Sequence, residues 1–348
     1  MSTQSRPRML TGDRPTGRLH LGHYVGTLAN RIRLQSEYES FFIVADLHML
    51  TTKNSPEDIA AVNDNAHHLV LDAISAGIDP HRVTFYLQSA VPEIHELAGL
   101  LQSLITVSRL ERLPSLKEMA RDANVEMSFA LLGYPVLQSA DILSVRANAV
   151  PVGKDNFAFV EVSRELARRF NTKYGEVFPV PDLVQSDVPM LIGTDGQGKM
   201  SKSKGNSIDL QDDAPTVARR IRRMYTDPNR VSADVPGNVI GNPVFEYLDA
   251  FDPDRSVVAE LKHRYVSGTV GDVEVKDRLT RVINDFLEPM RLRRQEFDQP
   301  GTIEQILVEG TARVRIETQQ TVFEMRKAMG LTGVWNRIRR KAECGSLA

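Results

Sequence analysis

The sequence predicts an α/β protein: a doubly wound parallel sheet followed by a second, all-helical domain. Short apolar runs rich in β-branched and aromatic residues alternate with helical patterns through about the first ninety residues. The run Phe41 to Ala45 is continuously apolar, as a strand buried on both faces must be. After residue 212 strand-like runs vanish and amphipathic helical patterns take over. A chain of 348 residues, at about 150 residues per domain, has room for two such units.

In chain order, Arg8 to Thr11 reads as the first strand, followed by the turn-rich Gly12-Asp13-Arg14-Pro15-Thr16-Gly17 and a helical pattern from Leu19 to Leu34. Phe41 to Ala45 is the second strand. Pro56 to Ala76 reads as one helix, with Ser55 as N-cap, proline at the first helical position and Gly77 past its end. Val83 to Leu87 is the third strand, so strand, helix, strand, helix, strand follow one another as in a doubly wound fold. Later helices are expected over Thr216 to Tyr225, Val273 to Phe286 and Ile303 to Met329. The expected organisation is a catalytic domain over 1–212, a helical domain over 213–302, a last helix over 303–331 packed back on the first domain, and a loosely held tail over 332–348.

Composition narrows the class. Forty-three Lys plus Arg against forty-five Asp plus Glu give a formal charge of −2, so any site for a polyanion is local. Local clusters exist at Arg219, Arg220, Arg222 and Arg223 with Arg230, at Arg291, Arg293 and Arg294, and at Arg337, Arg339, Arg340 and Lys341, although solvated helix faces are the plainer account of any one of them. The single cysteine, Cys344, excludes an internal disulfide framework and a Cys-rich metal site. No apolar run approaches the ~18 residues of a membrane span, and the N-terminus lacks a secretory core, so a cytoplasmic protein is expected.

Two constellations carry chemistry. Pro15-Thr16-Gly17-Arg18-Leu19-His20-Leu21-Gly22-His23 lies between the first strand and the first helix, where parallel sheets bind ligands. Backbone N–H groups at the helix start favour phosphate there. His20 and His23, three apart, are expected on one helix face, able to donate to oxygens that gain charge as an α-phosphorus is attacked, and Gly22 leaves room for a flat base. The plain alternative is a helix N-terminus with two surface histidines. The second constellation is Lys199-Met200-Ser201-Lys202-Ser203, flanked by Gly196, Gly198 and Gly205. Its ammonium groups can follow the β- and γ-phosphates as pyrophosphate separates; a solvated lysine loop is the alternative.

These residues resemble a known family. His20-Leu21-Gly22-His23 is similar to the HIGH motif, and Lys199 to Ser203 matches the KMSKS motif, of class I aminoacyl-tRNA synthetases, whose fold is Rossmann-like. Thr11-Gly12-x-x-Pro15-Thr16-Gly17 and His20 to Gly26 narrow the resemblance to the tryptophanyl-tRNA synthetases, over about residues 8 to 331. The resemblance implies ATP-dependent activation of L-tryptophan to tryptophanyl-adenylate and transfer to tRNA(Trp), with Mg²⁺ on the ATP phosphates, a homodimer whose contact region includes Leu97 to Arg112, and an anticodon-reading helical domain.

Two further segments fit it. Tyr134, Gln138 and Asp141 lie at offsets of four and seven, on one helix face. A carboxylate among Leu137, Ile142 and Leu143 is costly unless satisfied, and an acceptor-only aspartate suits a donor-only indole N–H; a helix cap or buried ion pair is the alternative. By resemblance Asp141 reads the indole, His48 is another pocket residue, and Leu10 and Val152 form an apolar wall. Val150-Pro151-Val152-Gly153-Lys154-Asp155-Asn156 is similar to the family's PVGxDQ: Gly153 permits close backbone approach, and Asp155 accepts from ribose hydroxyls or, alternatively, caps a helix. Here Lys154 stands where the family more usually has an acidic residue, Asn156 where it has the glutamine that contacts the substrate α-amino group, and Arg14 where many members have glutamine. Met190 or Leu191 occupies the adenine wall. The implied catalytic set is His20, His23, Lys199, Lys202 and Ser203. The implied ATP contacts are Arg14, Pro15, Thr16, Gly22, His23, Gly153, Lys154, Asp155, Met190 and Lys199 to Ser203, with no dedicated metal ligand. A tyrosyl-tRNA synthetase shares fold and motifs, and a noncatalytic paralogue that binds RNA or protein is the reading from another class.

Overall fold

The computed structural model describes residues 6–153, 156–185, 191–201, 204–227, 229–230 and 232–345. Lys154, Asp155, Met190, Lys202 and Ser203 lie outside the described residues. Five strands, β1 (Arg8–Asp13), β2 (Glu39–Val44), β3 (Val83–Leu87), β4 (Ala149–Val152) and β5 (Asp182–Gln185), form one parallel sheet in the order β3-β2-β1-β4-β5. The chain reverses its direction of winding between β1 and β4, which opens a crevice at the carboxyl ends of those two strands.

Both faces of the sheet are covered. On β2, Phe42 and Val44 pack with Val70 and Phe85 in one apolar cluster, while Phe41 and Ile43 pack with Tyr86, Leu101 and Phe159 in another. The first cluster runs on without interruption into Tyr247, Leu279, Ile283 and Leu287 of the later helices, so the helical part is seated directly on one sheet face. Its main helices are Ala214–Arg222, Pro243–Phe251, Arg255–Val266 and Asp272–Phe297.

Three local features differ from the sequence expectation. The pattern over Leu19 to Leu34 does not begin as a helix: His20 is extended (φ −127°, ψ 172°), and Leu21–His23 passes through a π-turn over Tyr24–Leu28 into Ala29–Leu34. The reason is tertiary: Leu19 to Leu21 pair antiparallel with residues near Asp209, which holds the backbone out of the helical region. The expected helix over Pro56 to Ala76 is two, Pro56–Ala60 and Val62–Ala76, with Ser55 capping the first through a 3.1 Å bond from the Asp58 N–H. The expected loose tail carries a further helix, Thr332–Gly345, exposed along nearly all its described length.

Arg230, grouped by sequence with a basic surface cluster, is buried. Its guanidinium pairs with Asp272 at 3.0 Å, donates to the carbonyls of Ala233, Val235 and Val270, and lies 4.0 Å over the Tyr265 ring, stapling a helix-poor segment.

The long helix Thr302–Ala328 lies across β3, the edge strand. Thr311 accepts the Leu87 N–H at 3.1 Å and Arg313 donates to Thr84 at 2.9 Å, occupying polar groups that an open edge would expose. The approach is possible because Gly310 has no side chain: a Cβ there would stand far inside contact distance of the Phe85 carbonyl oxygen. Gly310→Ala should therefore lift the helix from β3 and lower stability by about 1–3 kcal/mol, read as a fall in the urea midpoint at unchanged slope.

Candidate active site

The two signature segments are bonded to each other. The Leu21 N–H donates to the Ile208 carbonyl at 2.9 Å, and the Leu210 N–H donates to the Leu19 carbonyl at 3.0 Å, so the histidine segment and the chain leaving the lysine loop form a short antiparallel bridge centred on His20 and Asp209. Gly22 permits the close fit, since a Cβ there would meet the His20 ring at 3.0 Å and the Met200 Cβ at 3.5 Å. His20 therefore sits outside the helix that carries His23, and the two rings still approach to 3.8 Å between centroids, tilted by 45°. The His20 N–H donates to His23 Nδ1 at 3.2 Å, so a neutral His23 carries its proton on Nε2 and presents a donor there.

The lysine loop is braced from within. Asn206, 2% exposed, accepts the Ser201 N–H at 2.7 Å and donates to both carboxylate oxygens of Asp195 at 3.0 and 3.1 Å. Its own carbonyl accepts the Thr194 N–H, and a Cβ on Gly193 would collide with its amide. The Gln197 N–H and the Asn206 amide hold the Asp195 carboxyl below the usual carboxylate range. Gly196, Gly198 and Gly205 have φ of 73°, 61° and 66°, a left-handed backbone that glycine alone adopts freely. Tyr247 fastens the loop base through its hydroxyl to the Ile192 carbonyl at 2.9 Å. Met200 and Leu191 are buried in the sheet-face cluster, while Lys199 is exposed.

The third constellation is assembled on the other side of the crevice. Helix Tyr134–Ser144 carries Tyr134, Gln138 and Asp141. Asp141, 2% exposed, accepts from His48 Nε2 at 2.8 Å and from Gln88 Nε2 at 2.9 and 3.0 Å. Burial pushes its carboxyl above the usual range against those hydrogen bonds, and the same burial, with Asp141 nearby, raises the Tyr86 phenol well above its ordinary value. Gln88 was not singled out by sequence reasoning. Its Oε1 accepts the backbone N–H groups of Leu47 and His48 at 3.2 and 3.4 Å while its amide holds Asp141, so one side chain joins the ends of β2 and β3 to the pocket carboxylate. The signal was its place directly after β3, at the carboxyl end of a parallel strand.

The His48 and Tyr134 rings lie 4.3 Å apart and Tyr134 lies 5.2 Å from Phe159, so the pocket walls are aromatic. Leu10 is buried among them and Val152 is partly buried at the end of β4. Tyr86 Oη, His48 Nδ1 and Gln138 Oε1 are buried and make no hydrogen bond among the described residues, leaving polar positions for a bound molecule to satisfy. On the crevice rim, Arg14 donates to Thr52 at 3.1 Å, Pro15 is buried and Thr16 exposed, and Gly153 and Asn156 stand at the end of β4 with the Asn156 N–H bonded to the Gly153 carbonyl.

The basic clusters divide sharply. Arg291 donates to the Asp212 carbonyl and Asn284, Arg293 to the Ser75 carbonyl, and Arg294 to Asp72, so this group serves internal contacts. Arg220 is engaged with Ser207, Asp209 and Asp212 just past the lysine loop. Arg219, Arg222 and Arg223 remain exposed, as do the arginines of the last helix.

A parallel sheet in this strand order, with a histidine segment and a lysine loop paired across its crevice, defines an α/β nucleotide-binding protein. Residues 1–288 match the family described as tRNA synthetases class I (W and Y), and the chain belongs to that family. It is 58% identical over 327 residues to a tryptophan–tRNA ligase of Treponema pallidum, covering 93% of this chain and 97% of that one. It is 48% identical over 336 residues to a tryptophan–tRNA ligase of Chlamydia caviae, covering 95% and 97%. Its structure superposes with a TM-score of 0.82 on a tryptophanyl-tRNA synthetase of Campylobacter jejuni complexed with ADP and tryptophan, at 32% identity, covering 93% and 100%.

The brace predicts a test of loop order. Asn206→Ala removes three hydrogen bonds from the loop and should make the lysines over 199–204 cleave several-fold faster in limited trypsin digestion, with no loss of the global unfolding midpoint.

Proposed function

We infer that this chain activates L-tryptophan with ATP to tryptophanyl-adenylate, releasing diphosphate, and transfers the tryptophanyl group to tRNA(Trp), releasing AMP. The observation that carries the activity is the 58% identity to a tryptophan–tRNA ligase across nearly the whole of both chains. In the first step the tryptophan carboxylate attacks the α-phosphorus and diphosphate leaves. In the second, a hydroxyl of the terminal ribose of the tRNA attacks the acyl carbon and AMP leaves. The substrate supplies its own nucleophile, so catalysis rests on positioning and charge stabilisation.

His20 and His23 are assigned to the α-phosphate oxygens, an assignment supported by the His23 tautomer and by the bridge that fixes both residues. Lys199, Lys202 and Ser203 are assigned to the β- and γ-phosphates, and Arg14, Pro15, Thr16, Gly22, Gly153, Lys154, Asp155, Met190, Met200 and Ser201 to the remaining ATP contacts. Asp141 is assigned to the indole N–H: His48 and Gln88 leave it a lone pair and keep it in place. Tyr134, Gln138, His48, Leu10, Val152 and Asn156 complete the tryptophan pocket. Mg²⁺ would be held by phosphate oxygens and water and would neutralise their charge. No helix among the described residues is long and apolar enough to cross a membrane, and we place the enzyme in the cytoplasm.

A homodimer is supported by three apolar side chains on neighbouring short segments, Val107, Met127 and Phe129, exposed by 56%, 43% and 79%. We assign the catalytic domain to 1–212 with the helix over 303–331, the anticodon-reading domain to 213–302, and a tail to 332–348.

Tryptophan-dependent exchange between pyrophosphate and ATP tests the reading. Asp141→Ala should lower kcat/KM for tryptophan by about a hundredfold or more while the KM for ATP changes little, because a site built to pair a polar group loses discrimination when the partner goes. Near-unchanged tryptophan activation would remove Asp141 from the pocket. For the transfer step, Arg219, Arg222 and Arg223 changed together to serine, with Arg220 left to hold its carboxylates, should weaken tRNA charging and flatten its salt dependence while exchange is unaffected.

A further inference from the structure

The adenylation step uses residues of the crevice, yet one of the most buried charges of the chain lies behind it and has no part in that chemistry. Asp72, on helix Val62–Ala76, is 0% exposed. One carboxylate oxygen, Oδ2, accepts the Leu19 N–H at 2.8 Å; the other, Oδ1, accepts from Arg294 of the long helix Asp272–Phe297, whose side chain is 15% exposed. Leu19 is the residue whose carbonyl receives the Leu210 N–H, immediately before His20. A single carboxylate thus ties the backbone of the histidine segment to the helical part of the chain.

The neighbouring arginines extend the tie. Arg293 donates to the Ser75 carbonyl on the same helix as Asp72, at 2.8 Å. Arg291 donates to the Asp212 carbonyl at 3.0 Å, where the chain leaves the lysine loop, and Asp212 also receives Arg220 at 3.1 Å. From one helix, Arg291 reaches the lysine-loop exit and Arg294 reaches Asp72, the acceptor of the histidine segment's Leu19 N–H. Both strands of the bridge are therefore held by the same element, on the side opposite the tryptophan pocket.

We propose that Asp72 and Arg294 are a positioning pair for adenylate formation: through the Leu19 N–H they set His20 and His23 against the lysine loop, and so make the rate of tryptophan activation depend on the seating of the helix Asp272–Phe297. The proposal rests on the adenylating function inferred above. Removing Arg294 takes away the guanidinium bonded to a buried carboxylate and leaves Arg18 as its nearby cation; the carboxylate relaxes by drawing in water or moving, and the Leu19 backbone moves with it. Displacement of His20 and His23 by about an ångström acts on the transition state, where charge on the α-phosphate oxygens is greatest. Tryptophan binding, governed by Asp141, His48 and Gln88 on the other side of the crevice, is not affected.

The test is steady-state pyrophosphate exchange with full-length enzyme, normalised to the sites that bind radiolabelled tryptophan. Arg294→Gln and Asp72→Asn should each lower kcat about ten- to a hundredfold with the KM for tryptophan within about twofold. Arg294→Lys should recover part of the rate, and the double variant should be no slower than the slower single variant, because one interaction is lost only once. Arg264→Gln, which breaks the exposed pair with Glu274 on the same helical layer, serves as the control and should leave exchange unchanged. Wild-type kcat in the single variants, or losses that multiply in the double variant, would overturn the pair's positioning role. Losses in kcat and tryptophan KM alike would make Asp72 a support of the whole fold and also overturn it. Where Asp72→Asn is recovered unfolded, the two Arg294 variants decide, since a rate per binding site for Arg294→Lys equal to that of Arg294→Gln contradicts the proposal. Absence of tryptophan-dependent exchange in the unsubstituted enzyme would instead refute the functional reading.

Discussion

Two backbone hydrogen bonds, from Leu21 to Ile208 and from Leu210 to Leu19, hold the histidine segment to the chain that leaves the lysine loop. They join segments almost two hundred residues apart in sequence, and each such closure costs conformational entropy that local structure cannot return. The surroundings offset it. Leu19, Leu21, Ile208 and Leu210 are all buried in the apolar cluster that covers one face of the sheet. The bridge forces His20 out of the helix, brings it against His23, and sets Met200 over Gly22. The crevice between β1 and β4 would exist without it, but its two walls would have no fixed relation.

That dependence explains where charge has been buried. Asp72 and Asp212 lie behind the bridge, each receiving a backbone N–H or giving a carbonyl to it and each facing arginine. Burial raises both carboxyls, and the arginines and N–H groups oppose the shift. Asp141 is a different case. Its partners are His48 and Gln88, neutral or weakly basic side chains in place of arginine, so the carboxylate is held without its acceptor capacity being exhausted. The two carboxylates behind the bridge each carry an arginine, and Asp141 does not.

The sequence made the fold class and the local chemistry legible, and long-range geometry not. β3 ends where Val83 to Leu87 predicts, the helix over Tyr134–Ser144 carries its three polar residues, and Ser55 caps its helix, because each of these is decided within a few residues. His20 could not be placed correctly from spacing alone, since its extended backbone depends on Asp209. Gln88, Asn206 and Asp72 went unread for the same reason: an amide after a strand, an amide after a glycine and an acid in a helix are ordinary locally, and acquire roles only from partners 53, 11 and 222 residues away. Arginine clusters were visible as composition, but which arginines were consumed internally was not, and Arg230, Arg291 and Arg294 all make contacts inside the chain.

The most direct test of this account is native-state amide hydrogen exchange of the free protein, read at Leu19, Leu21 and Leu210. If the two signature segments are one mechanical unit, the Leu21 and Leu210 amides open together, with the same free energy, and the Leu19 amide on Asp72 opens with them. Exchange of Leu210 at the rate of a surface loop while Leu21 stays protected would show that the segments move independently, and the account would be wrong at its centre.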